Sequence, residues 1–96
     1  MLPAHTKQPA EKELMTLNFA RRLAVGETIV SATVTATLLG VDSSATVITG
    51  VVSSVTHVSF FYQAGNDGET HKVRVLAMTS ANQILEVDQD LVVKAE

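Results

Sequence analysis

The chain contains no cysteine and no tryptophan. Without cysteine it can form no disulfide, no thiolate nucleophile and no cysteine-based zinc site. Aromatic residues make up only 4% of its 96 residues, so a core must be assembled from Val, Ile, Leu and Ala. Positive charge is also scarce. A net charge of −3 and a pI near 5.5 lack the basic excess with which nucleic-acid binders neutralise phosphates. No apolar run approaches the ~20 residues that cross a bilayer. The opening "MLPAHTKQPAEKEL" carries two prolines and no apolar signal-peptide core. These absences predict a soluble protein, made in the cytoplasm of whatever cell makes it, that binds neither nucleic acid nor membrane. Asn18, Asn66 and Asn82 each lack Ser or Thr two places on, which removes N-glycosylation acceptors.

Catalytic signatures are missing as well. There is no G-x-S-x-G elbow, no G-x-G-x-x-G turn and no Walker loop, so neither an exposed nucleophile nor a phosphate cradle is encoded locally. His57 and His71 can approach each other on neighbouring strands, and His5 lies near the start of the chain. No third ligand stands at a suitable spacing, whereas zinc or copper needs three or four. The acidic clusters "NDGE" and "DQD" lack the calcium-loop spacing. The sequence therefore predicts no catalytic, cofactor-binding or metal-ligating residue, no cofactor, and a protein that is not an enzyme.

What is present is a two-residue rhythm. From Thr28 to Leu38, Val30, Ala32, Val34, Ala36 and Leu38 alternate with Ser31, Thr33, Thr35 and Thr37. Successive strand side chains point to opposite faces, so this segment reads as a half-buried strand with a wet, Thr-rich side. The same rhythm recurs at 55–63, with Val58, Phe60 and Tyr62 on one face. It recurs again at 70–79, with Val73, Val75 and Ala77, and at 84–94, with Leu85, Val87, Leu91 and Val93. In Glu11–Leu23, Met15, Leu17 and Phe19 share a strand face, which predicts a short edge strand ending at a turn in "AVGE". "TVITGVV" reads as a strand broken at Gly50 and "GVDSSA" as a turn. "AGNDGE" reads as a hairpin turn. Lys72 and Arg74 should face Glu86, Asp88 and Asp90 across paired strands.

Short strands with turns about ten residues apart predict an all-β, immunoglobulin-like antiparallel β-sandwich of about seven strands. A small barrel is the competing architecture. Residues 1–12, interrupted by Pro3 and Pro9, are expected to form a flexible N-terminal arm, and residues 13–96 a single sandwich domain. Whether that arm orders on a partner is left open by the sequence.

Four residues are candidate interface positions. Phe61 points away from Phe60 and Tyr62, and is either covered by the tail or a loop or exposed at a subunit contact. Arg21 and Arg22 beside Phe19 suit a protein–protein contact and equally suit a solvated pair.

The block "F-x-R-x-L-x-x-GETI-x-S-x-T-x-T" (Phe19–Thr35), "DSSAT" (Asp42–Thr46), "HKVRVLAMTS" (His71–Ser80) and "LEVDQDLVVK" (Leu85–Lys94) together resemble small immunoglobulin-like structural proteins of tailed bacteriophages and prophages. The resemblance spans roughly residues 17–94. It departs from the family pattern at Phe19-Ala20, where a Trp often follows the aromatic, and at His71, where Tyr is common. The resemblance implies a virion structural protein, either a head decoration or cement subunit or a neck or tail accessory. Its implied partners are other virion subunits (capsid, neck or tail proteins), with homo-oligomerisation a further option. A carbohydrate- or host-surface-binding module is the alternative, and a bacterial interaction domain unrelated to virions a third reading.

Overall fold

The longer strands carry the rhythm that the sequence announces. In the computed structural model, residues 2–95 are described. The strands are β1 (His5–Lys7), β2 (Glu13–Asn18), β3 (Ile29–Leu38), β4 (Val41–Asp42), β5 (Ile48–Ser53), β6 (His57–Tyr62), β7 (Thr70–Thr79) and β8 (Ile84–Val93). A 3-10 turn at Ala20–Arg22 follows β2, and a single-turn helix, α1 (Ser44–Val47), precedes β5. The strands form two sheets, one of five strands in the order β1-β8-β7-β3-β4 and one of three in the order β2-β6-β5. The chain is all-β apart from those two short helical turns.

The inward faces of the two sheets supply the core. Val34, Ala36, Val73, Val75, Ala77 and Leu91 come from the larger sheet, and Val58, Phe60 and Tyr62 from the smaller. Phe60 and Tyr62 meet edge-to-face at 5.1 Å, an arrangement that the aromatic quadrupole favours. The Tyr62 hydroxyl donates to Gln89 Oε1 at 2.7 Å, and burial pushes its pKa well above the usual value.

The structure departs from the simple alternation in four places. Val30 was expected on the inner face of β3, but a bulge between Ile29 and Ser31 places Ile29 inside and Val30 in solvent. An extra residue in a ladder shifts every side chain before it to the opposite face. "AGNDGE" is not a hairpin turn: it carries the chain from β6 in one sheet to β7 in the other. Gly65 is required there, because it has φ +87° and a side chain would lie 2.8 Å from Val93 Cγ2. "DSSA" turns and then forms α1, with Ser44 N–H donating to Asp42 Oδ1 at 2.9 Å.

The fourth departure concerns residues 1–12. Regular structure does occur there: β1 pairs with β8 in parallel, His5 with Leu91 and Lys7 with Val93, so the sandwich is not purely antiparallel. Gln89 Nε2 donates to the Pro3 carbonyl at 2.9 Å, and Leu2 N–H to that of Asp88 at 3.0 Å. Lys7 is only 1% exposed, with Nζ donating to the carbonyls of Gln8 and Pro9. Desolvation holds its pKa below the ordinary lysine value, opposed by the charges of Glu11 and Glu13.

The expected cross-strand charge pairing is present. Arg74 lies opposite Asp88, and its Nε is 3.1 Å from Asp88 Oδ1 and 2.7 Å from Glu86 Oε1.

Candidate docking surfaces

One end of the sandwich gathers the connections at residues 19–28, 54–56 and 80–83. Backbone groups sew these loops together. Phe19 N–H donates to Thr56 O at 2.8 Å, Ile29 N–H to Val55 O at 2.9 Å and Ser80 N–H to Thr28 O at 2.8 Å. A buried polar knot reinforces them. The Glu27 carboxylate accepts from the Thr79 hydroxyl and from Ala24 N–H, and Thr79 Oγ1 accepts in turn from Ala81 and Gln83 N–H. These bonds favour the ionised form and hold the Glu27 carboxyl below its usual pKa, the Thr79 bond contributing most.

On this stiff frame Val25, Val30, Val55, Met78 and Ile84 are exposed. Met78 and Ile84 are cross-strand partners, and Val30 lies in the β3 bulge beside them. The only charged side chains in these three loops are Arg21, Arg22 and the buried Glu27. Apolar side chains exposed on loops tied by backbone hydrogen bonds are the kind of surface a protein partner covers.

The opposite end is built from the segments at 8–12, 39–47, 63–69 and 94–95. It carries Glu11, Lys12, Asp42, Asp67, Glu69 and Lys94. Glu69 and Asp42 titrate below their usual values. The Asn66 backbone N–H followed by His71 lowers the first, and the Ser44 hydroxyl followed by its N–H lowers the second.

The four interface candidates do not converge. Phe19 is 1% exposed and belongs to the core, which removes it as a free contact. Arg22 lies over its ring, with the guanidinium carbon 5.8 Å from the ring centroid, and donates through Nη1 to the Glu86 carbonyl at 3.2 Å. Beside it runs a groove of about 600 Å³ between β2 and β8, with Leu2, Leu17, Phe19, Arg22, Glu86 and Asp88 among its walls. Arg21 is exposed. Phe61 lies elsewhere and is half-covered: it packs on Gly50, whose added Cβ would be 3.1 Å from Phe61 Cδ2, and the Lys12 ammonium lies 4.9 Å from its ring centroid.

Ser43, His71 and Glu69 form a constellation that sequence spacing gave no sign of. Ser43 Oγ is 2.7 Å from His71 Nδ1, and His71 Nε2 is 3.1 Å from Glu69 Oε1. The pieces are those of a hydrolytic triad. The imidazole, however, is 1% exposed, and the groove between β2 and β8 does not reach these residues. They tie α1 to the β6–β7 connection. His57 makes a separate contact, 2.7 Å from Nδ1 to Thr56 Oγ1, and His5 stacks on Tyr62 at 5.5 Å beside Glu13. Among the described residues no three His, Asp or Glu side chains gather as a metal site would need.

A family model described as "Podophage GP4 fiber-tail adaptor protein gp77" matches residues 7–93, from the end of β1 to the end of β8. The chain belongs to this podophage adaptor family. No curated protein matches it. Membership gives the adaptor a virion structural role, in agreement with the resemblance to tailed-phage structural proteins read from the sequence.

Proposed function

We propose that the protein is a tail subunit that joins a fiber to the tail, with the end that lacks exposed carboxylates seated on one virion partner and the carboxylate-rich end facing another. The observation that carries this reading is the segregation of charge along the molecule. Five exposed apolar side chains stand at one end with Arg21 and Arg22 as its exposed charges, while carboxylates and lysines collect at the other beside exposed Leu39 and Val41. A linker between two different proteins needs two chemically different surfaces, and its ends supply them. The family description supports the tail over the head location. Arg21 and Arg22, flanking the groove, serve as rim contacts in this reading, and residues 8–12 are the part of the N-terminal segment left to reach a neighbouring subunit.

The same proposal takes the sandwich as immunoglobulin-like. Strand order supports it: β2-β6-β5 corresponds to strands B, E and D of that fold, and β8-β7-β3-β4 to G, F, C and C′. The carbohydrate-binding alternative has little support, because Phe19, Phe60 and Tyr62 are buried and Phe61 is half-covered, which leaves no aromatic platform for stacking on a sugar. The same role calls for no catalytic residue.

The test is a phage carrying Ile84→Lys. Ile84 is exposed, so the variant should fold as the wild type does, and purified particles should lack fibers. Particles with a full fiber complement would refute the assignment of this end.

A further inference from the structure

The hairpin at one edge of the larger sheet ends in a tip that its own backbone does not favour. β3 and β4 pair Leu38 with Val41 and Thr37 with Asp42, which leaves Leu39-Gly40 as a two-residue loop. Leu39 has φ +51° and Gly40 φ +81°. A loop with positive φ at both positions calls for Asn-Gly, Asp-Gly or Gly-Gly, because the left-handed region drives Cβ toward the following carbonyl oxygen. Asn82, in the turn at 80–83, obeys that preference. Leu39 does not, and packing does not compensate, since it is 95% exposed and Val41 beside it 70%. An exposed leucine alone signifies little. One that also strains its backbone points to something outside the free chain.

The base of this tip is tied down. Ser43 N–H donates to Ala36 O at 2.8 Å and Ala36 N–H to Ser44 Oγ at 2.8 Å, so the turn into α1 binds β4 to β3. No charge occurs from Thr28 to Val41, and carboxylates gather behind the tip. Asp42 follows Val41 directly. Across the sheet it aligns with Thr37, Lys72 and Asp90 in one row, so the lone cation of that row lies between two carboxylates. Glu69 reaches the same base through His71 and Ser43.

We infer that this tip anchors the carboxylate-rich end: Leu39, with Val41 at its side, enters an apolar pocket on a second virion protein whose rim carries lysine or arginine. The inference rests on the adaptor reading, which gives that end a protein partner. Charge selects the occupant. Asp42, Asp90 and Glu69 attract a basic rim and repel an anionic bilayer surface or a nucleic acid. A second copy meeting the tip about a two-fold axis would bring the same carboxylates face to face. A tip already fixed in its bound shape loses little freedom on docking, and the contact offsets the strain of the turn.

The experiment reads folding and attachment on the same variants. Leu39→Asn puts a residue that tolerates positive φ into the loop, so the purified full chain should melt a few degrees higher than wild type. Phage carrying that variant should yield particles with at least about tenfold fewer fibers, counted by quantitative mass spectrometry. Val41→Lys should lose more fibers than Val41→Glu, since only the lysine opposes a basic rim. A melting temperature that falls with Leu39→Asn overturns the inference, because Leu39 would then support the free fold. A greater loss with Val41→Glu than with Val41→Lys overturns it too. Full fibers with Leu39→Asn but not with Ile84→Lys overturn the hairpin's role and leave the adaptor reading standing, and full fibers with both overturn both. Loss with Leu39→Asn alone keeps the hairpin and refutes the assignment of the other end. Wild type that self-associates, or co-sediments with phosphatidylserine vesicles, while Leu39→Asn does neither, names a different occupant and overturns this one.

Discussion

The two ends of the sandwich are made by the same strands and differ in how their loops are held. At the end where Ile84 lies, connections at 19–28, 54–56 and 80–83 are tied by backbone bonds and by the buried Glu27–Thr79 knot, and valine, methionine and isoleucine stand in water there. At the charged end, the connections at 39–47 and 63–69 are held by short side-chain caps: Asp42 to Ser44, Glu69 to Asn66, and His71 between Ser43 and Glu69. The first end buries its single carboxylate and shows apolar side chains and two arginines to solvent. The second leaves its carboxylates in solvent. The proposed linker role draws on this division, because a surface that suits one end is wrong for the other.

The comparison can be broken or sharpened in order of expected effect. Phe60→Ala removes a fully buried ring from the core that both ends share. It should cost about 3–5 kcal/mol, and both ends should melt in one transition. Separate transitions in denaturant would show that the ends are independent. Thr79→Val deletes the hydroxyl that serves Glu27, Ala81 and Gln83, and should cost about 1–3 kcal/mol. Amide exchange should speed up at 19–28 and 80–83 and stay unchanged at 63–69; uniform acceleration would erase the distinction between the ends.

Acid should act more gently. Glu27, Asp42 and Glu69 all have folded-state pKa values below the ordinary 4.5 and 3.8. Unfolding therefore takes up protons, so the stability these groups supply is complete above those ordinary values and is lost as pH falls through the lower folded ones. The melting temperature should be flat above pH about 5 and decline below about 4, and a rise on acidification would contradict the sign. The smallest effect belongs to Arg74→Ala. Its pairs with Glu86 and Asp88 are exposed, and at physiological salt the melting temperature should scarcely move.

Much of this architecture was legible because period-two patterning is a direct record of which face is buried. β7 and β8 follow the alternation residue by residue, and the opposition of Arg74 to Asp88 follows from it. Three features were not legible. The bulge in β3 is a single extra residue between two apolar ones, and Ile29 and Val30 fit the inner position equally well until the ladder with β7 decides between them. β1 escaped because three residues between prolines carry no pattern. It is fixed by backbone pairing with β8 and by Gln89, a contact 86 residues away in sequence. Ser43 and His71 are 28 positions apart, and only the packing of α1 against the inter-sheet connection brings them together. Of the docking surface, Phe61 and the arginine pair were visible as residue types. The apolar end was not, because Val25, Val55 and Ile84 look like core valines and isoleucine in a chain whose core is made of those residues.

A cryo-electron microscopy map of the intact virion tests the central claim most directly. The account predicts density for this chain between tail and fiber, with Val25, Val55, Met78 and Ile84 covered by a protein other than itself. A chain found elsewhere on the particle, or one in place with those four side chains facing open solvent, would contradict it.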